Sequence, residues 1–85
     1  MRIVYAPGFA KEFKRLPQNI QTIFYRQEKF LLADWRDPRL HTKKLAGSAG
    51  SFSFRITRNY RVIFSFPEKE VVLFETIGDR KDIYR

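Results

Sequence analysis

Arg55, Arg61 and Arg80 are the residues whose type and setting could do chemistry. Between Pro38 and Pro67 the chain carries Arg39, Lys43, Lys44, Arg55, Arg58 and Arg61, and no Asp or Glu. Two runs in that stretch alternate like strands: Ser51-Phe52-Ser53-Phe54-Arg55-Ile56-Thr57 and Tyr60-Arg61-Val62-Ile63-Phe64-Ser65-Phe66. Successive side chains of a strand point to opposite faces. Phe52, Phe54 and Ile56 therefore share a face, as do Val62, Phe64 and Phe66, and both sets belong in a core. Ser53, Arg55 and Thr57 point the other way, with Arg61, Ile63 and Ser65. A sheet face that is basic, hydroxyl-bearing and free of acids suits an anion, and nucleic-acid phosphate is the natural one. Arginine fits phosphate because its planar fork donates two parallel hydrogen bonds. Arg80 arrives at the same surface from the tail. A plainer reading stays open, in which Arg55 and Arg61 are solubilising residues paired with Glu75.

The elements that must position these arginines can be read from periodicity. Ile3 and Tyr5 alternate with Arg2 and Val4, a short strand over residues 2–6. Pro7 suits the first turn of a helix, and Phe9, Phe13 and Leu16 follow at helical spacing. Pro17 ends that helix and starts the next. In the second helix Ile20, Ile23, Phe24, Gln27, Phe30 and Leu31 keep a helical period up to Ala33–Trp35. Asp37-Pro38 opens a loop that contains Lys43, Lys44 and the flexible run 46–50. Strands follow over 52–57 and 60–66, joined by a tight turn around Arg58-Asn59. Pro67-Glu68-Lys69 turns the chain into a last strand over 70–77. Gly78 ends it, and 79–85 is a polar tail. The expected fold is α+β: a mainly antiparallel four-stranded sheet in the order strand-helix-helix-strand-strand-strand, with a helical hairpin on one face.

Composition bounds the function. The chain has 85 residues, which makes residues 1–85 one domain. A domain of this size buries only roughly 60–65% of its unfolded surface, so its core is thin. With 44% hydrophobic residues it is too apolar for disorder. The absence of cysteine excludes a disulfide scaffold, a cysteine zinc site and a thiol nucleophile, and fits a reducing cytoplasm. Seventeen Lys/Arg against nine Asp/Glu leave a net charge of +8, which calls for nucleic acid or an acidic protein as partner. No apolar run is long enough to span a membrane. The start runs directly into a strand pattern without the features of a signal peptide. No clustered His/Asp/Glu spacing implies a metal or other cofactor.

Three segments carry a resemblance to a known family. Lys43-Lys44-Leu45-Ala46-Gly47, the hairpin pair Ser53-Phe54-Arg55-Ile56 and Tyr60-Arg61-Val62-Ile63-Phe64, and the ending Ile77-Gly78-Asp79-Arg80-Lys81-Asp82-Ile83-Tyr84-Arg85 resemble the RelE/ParE superfamily. These are toxins of type II toxin–antitoxin modules. The resemblance covers essentially the whole chain and is most specific in its C-terminal half. It implies a sheet covered by a helical hairpin, with a basic face that binds mRNA in the ribosomal decoding site. It implies cleavage by attack of the ribose 2′-hydroxyl on the adjacent phosphate. By the same resemblance Arg61 contacts the scissile phosphate, Arg80 follows the last strand, and Tyr84 stacks on the substrate or exchanges protons with it. The plainer alternative for Tyr84 is a tail anchor on the sheet edge. Arg55, Lys43, Lys44 and Arg58 would hold phosphates.

Two departures from the family's nucleases keep other readings in play. Some members carry paired lysines on the strand that here holds Ser53 and Arg55, and others carry histidine where Asp79 stands. Asp79 is read as a turn residue or a base. His41, the single histidine, is read as surface, or as an acid/base group if its loop folds over the sheet. Trp35 is read as a cap on the core at the end of the second helix rather than a platform for a base. The competing functions are a ribosome-dependent endoribonuclease, a ParE-like DNA gyrase poison that cuts no RNA, and a binding module that has kept the fold without the chemistry. Each implies an acidic, partly disordered antitoxin that folds over the basic surface. Operator DNA is a partner only through the toxin–antitoxin complex.

Overall fold

The computed structural model describes residues 1–83. The chain runs β1 (Arg2–Tyr5), α1 (Phe9–Lys14), α2 (Gln18–Ala33), a 3-10 turn (Pro38–Leu40), β2 (Lys43–Lys44), β3 (Ser51–Arg55), β4 (Tyr60–Glu68), β5 (Val71–Asp79) and α3 (Arg80–Ile83). One five-stranded sheet takes the order β1-β5-β4-β3-β2. Gly8 precedes α1 at φ 89°, a left-handed conformation that glycine adopts without strain. Pro17 precedes α2, and its carbonyl accepts from the N–H groups of Ile20 and Gln21.

The α+β class holds, but the sheet is mixed and five-stranded rather than antiparallel and four-stranded. Lys43–Lys44 is a strand, not loop: Lys43 stands opposite Ser53 and Lys44 opposite Phe52. Two residues are too few to show an alternation, so only their partner strand reveals them. β1 lies parallel to β5, with Arg2 opposite Val71 and Tyr5 opposite Phe74. That pairing joins the two ends of the sequence through the helical crossover, and no local pattern encodes it.

The last three elements also differ in extent from the expected ones. β4 runs through Pro67, because the β4–β5 register shifts between Ser65 and Glu68. A bulge is where a sheet tolerates a residue that cannot donate. The turn falls at Lys69-Glu70 instead, with Glu70 at φ 65°. A second shift leaves Glu75 as an extra residue on β5. β5 continues through Gly78 to Asp79, and Arg80–Ile83 is a helical turn rather than an open tail.

The core lies between one sheet face and the two long helices. Phe54, Ile56, Val62 and Phe64 are buried there, with Phe52 and Phe66 partly buried at its margin. Phe74 of β5 is its hub: its ring meets Phe54 at 5.6 Å, Phe9 at 5.9 Å and Phe24 at 6.0 Å. From α2 the stripe is Ile20, Phe24, Gln27 and Leu31. Gln27 is the polar member, only 3% exposed. Its Nε2 donates to the carbonyls of Arg55 (2.8 Å) and Arg39 (3.0 Å). One amide thus ties α2 to the end of β3 and to the 3-10 turn that leads into β2.

That turn is held from its start by Asp37. The carboxylate accepts from the Arg39 backbone N–H (2.9 Å) and from the Arg39 guanidinium (3.0 and 2.7 Å), which lies 3.6 Å from the centre of the Phe30 ring. These bonds, chiefly from the Arg39 side chain, pull the Asp37 carboxyl from its ordinary 3.8 down to about 2.

Replacing Gln27 with Leu keeps the volume and removes the donor to both carbonyls. It should cost about 1–3 kcal/mol, read as a lower urea midpoint at unchanged slope. For Asp37 the folded carboxyl titrates below the unfolded one. Its contribution is therefore complete above about pH 4 and lost as pH falls towards 2. Urea melts across that window should show a smaller acid loss in Asp37→Asn than in the parent protein.

Candidate phosphate cradle

β3 and β4 pair so that Arg55 stands directly opposite Arg61. Phe54 and Val62, their neighbours, are fully buried on the helix side, so both arginines point to the other face. Lys43 joins that face at the sheet edge, because it sits in register with Ser53. Arg61 is in turn opposite Gly78, which puts no side chain beside it. A Cβ at Gly78 would meet Ile83 Cγ2 at 3.4 Å, so α3 folds close over the end of β5. The Arg80 N–H donates to the Asn59 carbonyl at 2.7 Å, which pins the start of α3 to the β3–β4 connection.

These placements close a recess of about 270 Å³ lined by Lys43, Lys44, Leu45, Ser53, Arg55, Arg61 and Arg80. No carboxylate lines it among the described residues. Ser53 is 2% exposed and gives the recess a small, hydroxyl-bearing wall. Arg61 is anchored, since its Nη1 donates to the carbonyls of Thr57 and Tyr60 (3.2 Å). Arg55 has a buried Nε without a hydrogen-bond partner among the described residues. Glu75, the acid that could have paired with these arginines, takes a hydrogen bond from Ser51 at 3.4 Å. Neither Arg55 nor Arg80 forms an ion pair among the described residues.

Like charges directly opposite across a strand pair destabilise it. A face that sets Arg55 opposite Arg61, with Arg80 and Lys43 around them, offers an anion several donors. A phosphate is the right shape for the guanidinium forks.

The other singled-out residues fall elsewhere. Lys44 lines the recess, but its register partner Phe52 faces the helix layer, so the two lysines straddle the sheet edge. Arg58 is exposed in the β3–β4 connection and is not among the lining residues. His41 sits after the 3-10 turn at φ 48°, beside Trp35 and away from the recess. Asp79 ends β5 opposite Tyr60, and its Oδ1 accepts from the Lys81 N–H at 2.9 Å. It caps α3 and borders a different groove, with Glu12 and Asp82. Tyr84 lies outside the described residues. Ser53 and Gln27 were not among the site residues expected from sequence. A lone glutamine inside the apolar stripe of α2 was the readable signal, because a buried amide requires partners.

If the recess is built for an anion, inorganic phosphate should raise the melting temperature more than chloride at equal ionic strength. Arg61→Gln should remove most of that difference. Equal responses to the two salts would count against a formed anion site.

No family model matches the sequence, and no curated protein matches it. Solved structures do. A chain of the RelB–RelE antitoxin–toxin complex from Methanococcus jannaschii superposes with a TM-score of 0.77 at 23% identity, covering 95% of this chain and 94% of that one. YafQ from E. coli superposes with a TM-score of 0.81 at 15% identity over 100% of both chains. The YoeB/ParE toxin from Agrobacterium tumefaciens gives 0.79 at 14% identity, over 94% of this chain and 99% of that one. The arrangement of sheet, helical hairpin and closing turn is thus the fold of the RelE/ParE toxin superfamily.

Proposed function

We propose that the protein is the toxin of a type II toxin–antitoxin pair and that it cuts mRNA on the ribosome, in the cytoplasm. The observation that carries this reading is the recess in which Lys43, Arg55, Arg61 and Arg80 converge without an acid among the described lining residues. The solved relatives of the same fold include complexes named as antitoxin with toxin, which supports an antitoxin partner here. With a net charge of +8, the chain suits an acidic antitoxin. Operator DNA would be met only through that complex.

The chemistry follows from the residue types. The 2′-oxygen of a ribose attacks the adjacent phosphorus as the bond to the 5′-oxygen of the next nucleotide breaks. The products are a cyclic phosphate and a free 5′-hydroxyl. The 2′-proton leaves to a base, and the departing 5′-oxygen gains one. Negative charge builds on the non-bridging oxygens, where Arg61 and Arg80 stabilise it. Arg55 and Lys43 hold the neighbouring backbone and keep the attacking oxygen in line. Tyr84 remains the proposed stacking or proton-transfer group.

The alternative reading is a gyrase poison. Among the described residues the recess is lined by no carboxylate, imidazole or phenol. A gyrase poison needs no proton-transfer group.

Primer extension on mRNA in translating ribosomes separates the two. The nuclease should give discrete cuts within coding sequence. Arg61→Ala and Arg80→Ala should each slow cutting about 10²–10³-fold, the scale of losing one donor to a developing oxyanion. Intact mRNA from a chain that still arrests growth would move the assignment to the gyrase poison. Intact mRNA without arrest would leave a binding module.

A further inference from the structure

On the opposite side of the β2 edge lies a second recess, of about 350 Å³, lined by Trp35, Arg36, Asp37, Pro38, His41, Thr42, Lys44 and Phe52. Trp35 does cap the core, as its position at the end of α2 predicts: its ring meets Phe66 at 5.1 Å and Phe52 at 5.2 Å. Yet the ring is only partly buried and forms a wall of the recess. The exposed Arg36 guanidinium lies over the Trp35 ring, 4.9 Å from its centre, and as an exposed side chain it can be displaced from that face by a planar group. The one acid here, Asp37, is bonded to Arg39 at 2.7 Å, which leaves Arg36 and Lys44 as the uncompensated charges. His41 at the rim is held at φ 48° and ψ 46°, a backbone setting uncommon for a residue with a Cβ.

We propose that this recess is a nucleobase subsite, in which Trp35 stacks a base of single-stranded RNA while Lys44 and Arg36 meet its flanking phosphates. The proposal deepens the RNA reading of the cradle and rests on it. Lys44 lines both recesses, and Lys43 and Lys44 present a cation to each face of the same edge. A strand leaving the cradle over β2 therefore stays in contact with positive charge and arrives at an indole. Flat rings alternating with phosphates are the chemistry of RNA, and aromatic platforms beside cationic grooves are how single strands are held. Carboxylate side chains alone would use the cations but not the ring. Arginine planes stack on bases as well as on indoles, so Arg36 can close over a base seated on Trp35.

Trp35 is the chain's single tryptophan, so its fluorescence reports this recess alone. Titration of the full chain with a short oligoadenylate should quench it, whereas inorganic polyphosphate and an oligoglutamate peptide should not. The variant carrying Arg36→Ala and Lys44→Ala changes only exposed side chains. It should need a higher oligoadenylate concentration for the same quenching, by about tenfold. Anisotropy of a labelled oligoadenylate, run in parallel with Arg61→Ala, reports cradle binding separately. Binding that depends on Arg61 but leaves Trp35 unquenched would overturn the subsite and spare the cradle. Equal quenching by polyphosphate would reduce the recess to an anion site, and quenching by oligoglutamate would make it a protein-docking surface. No binding of oligoadenylate at all would overturn both the subsite and the RNA reading of the cradle.

Discussion

The register between β3 and β4 sets Arg55 directly opposite Arg61, and the rest of the fold has to hold them there. Arg55 opposite Arg61 is an unfavourable pair, on the order of a few tenths of a kcal/mol to 1 kcal/mol. A slip of either strand by one residue would relieve it, but would also turn Phe54 of β3 or Phe64 of β4 out of the core. Burying one phenylalanine is worth about 1.5–3 kcal/mol. Both are fully buried on the far side of the same strands, together with Val62 of β4 and against Phe74 of β5. The apolar face wins by several-fold, so the aromatic core fixes the register and the charge cluster follows from it. An apolar pattern on one face thereby enforces a concentration of positive charge on the other.

Gln27 carries that constraint from the helix layer to the site. Its amide donates to the Arg55 carbonyl at the end of β3 and to the Arg39 carbonyl in the 3-10 turn. The first bond fixes the strand that presents Arg55. The second fixes the turn from which β2, and so Lys43, departs. A buried amide tolerates little displacement, because a lost partner leaves a desolvated group unpaired. The two chain segments that supply cations to one edge of the recess are therefore referenced to a single point on α2. At the other edge α3 plays the matching part, with the Arg80 N–H on the Asn59 carbonyl and Ile83 over Gly78.

Much of this was legible in local sequence because it depends on local periodicity. The helices between Phe9 and Ala33, the aromatic face of Phe54 and Phe64, and the opposite face with Arg55 and Arg61 all follow from alternation and helical spacing. What was not legible depends on non-local partners. β1 pairs with β5 across nearly the whole chain, which no short window records. Lys43–Lys44 becomes a strand only because Ser53 and Phe52 offer it an edge. Pro67 reads as a turn, yet it sits inside β4 at a bulge that β5 creates with it. Asp79 was read as a turn residue or a base, and His41 as surface or an acid/base group. Asp79 caps a helical turn, and His41 lies beside Trp35. Trp35 was read as a cap on the core rather than a platform for a base, but a ring packed on Phe66 can still wall a recess.

Shared fold at 14–23% identity means that few side chains are held in common, so the fold does not by itself transmit a reaction. What the scaffold transmits is a position: a sheet face backed by a helical hairpin, with a short turn folding over the last strand. In this chain that position is lined by cations, a serine and Leu45 among the described residues. Guanidiniums can neutralise a phosphorane and align its oxygens, but at neutral pH they remain protonated and are poor bases. A reaction run on such a site draws most of its acceleration from charge and alignment. Such a site suits a substrate whose geometry is already constrained before it arrives. The described cations are therefore equipped to hold and align a phosphate, and that is the part of a phosphoryl-transfer reaction that such side chains supply.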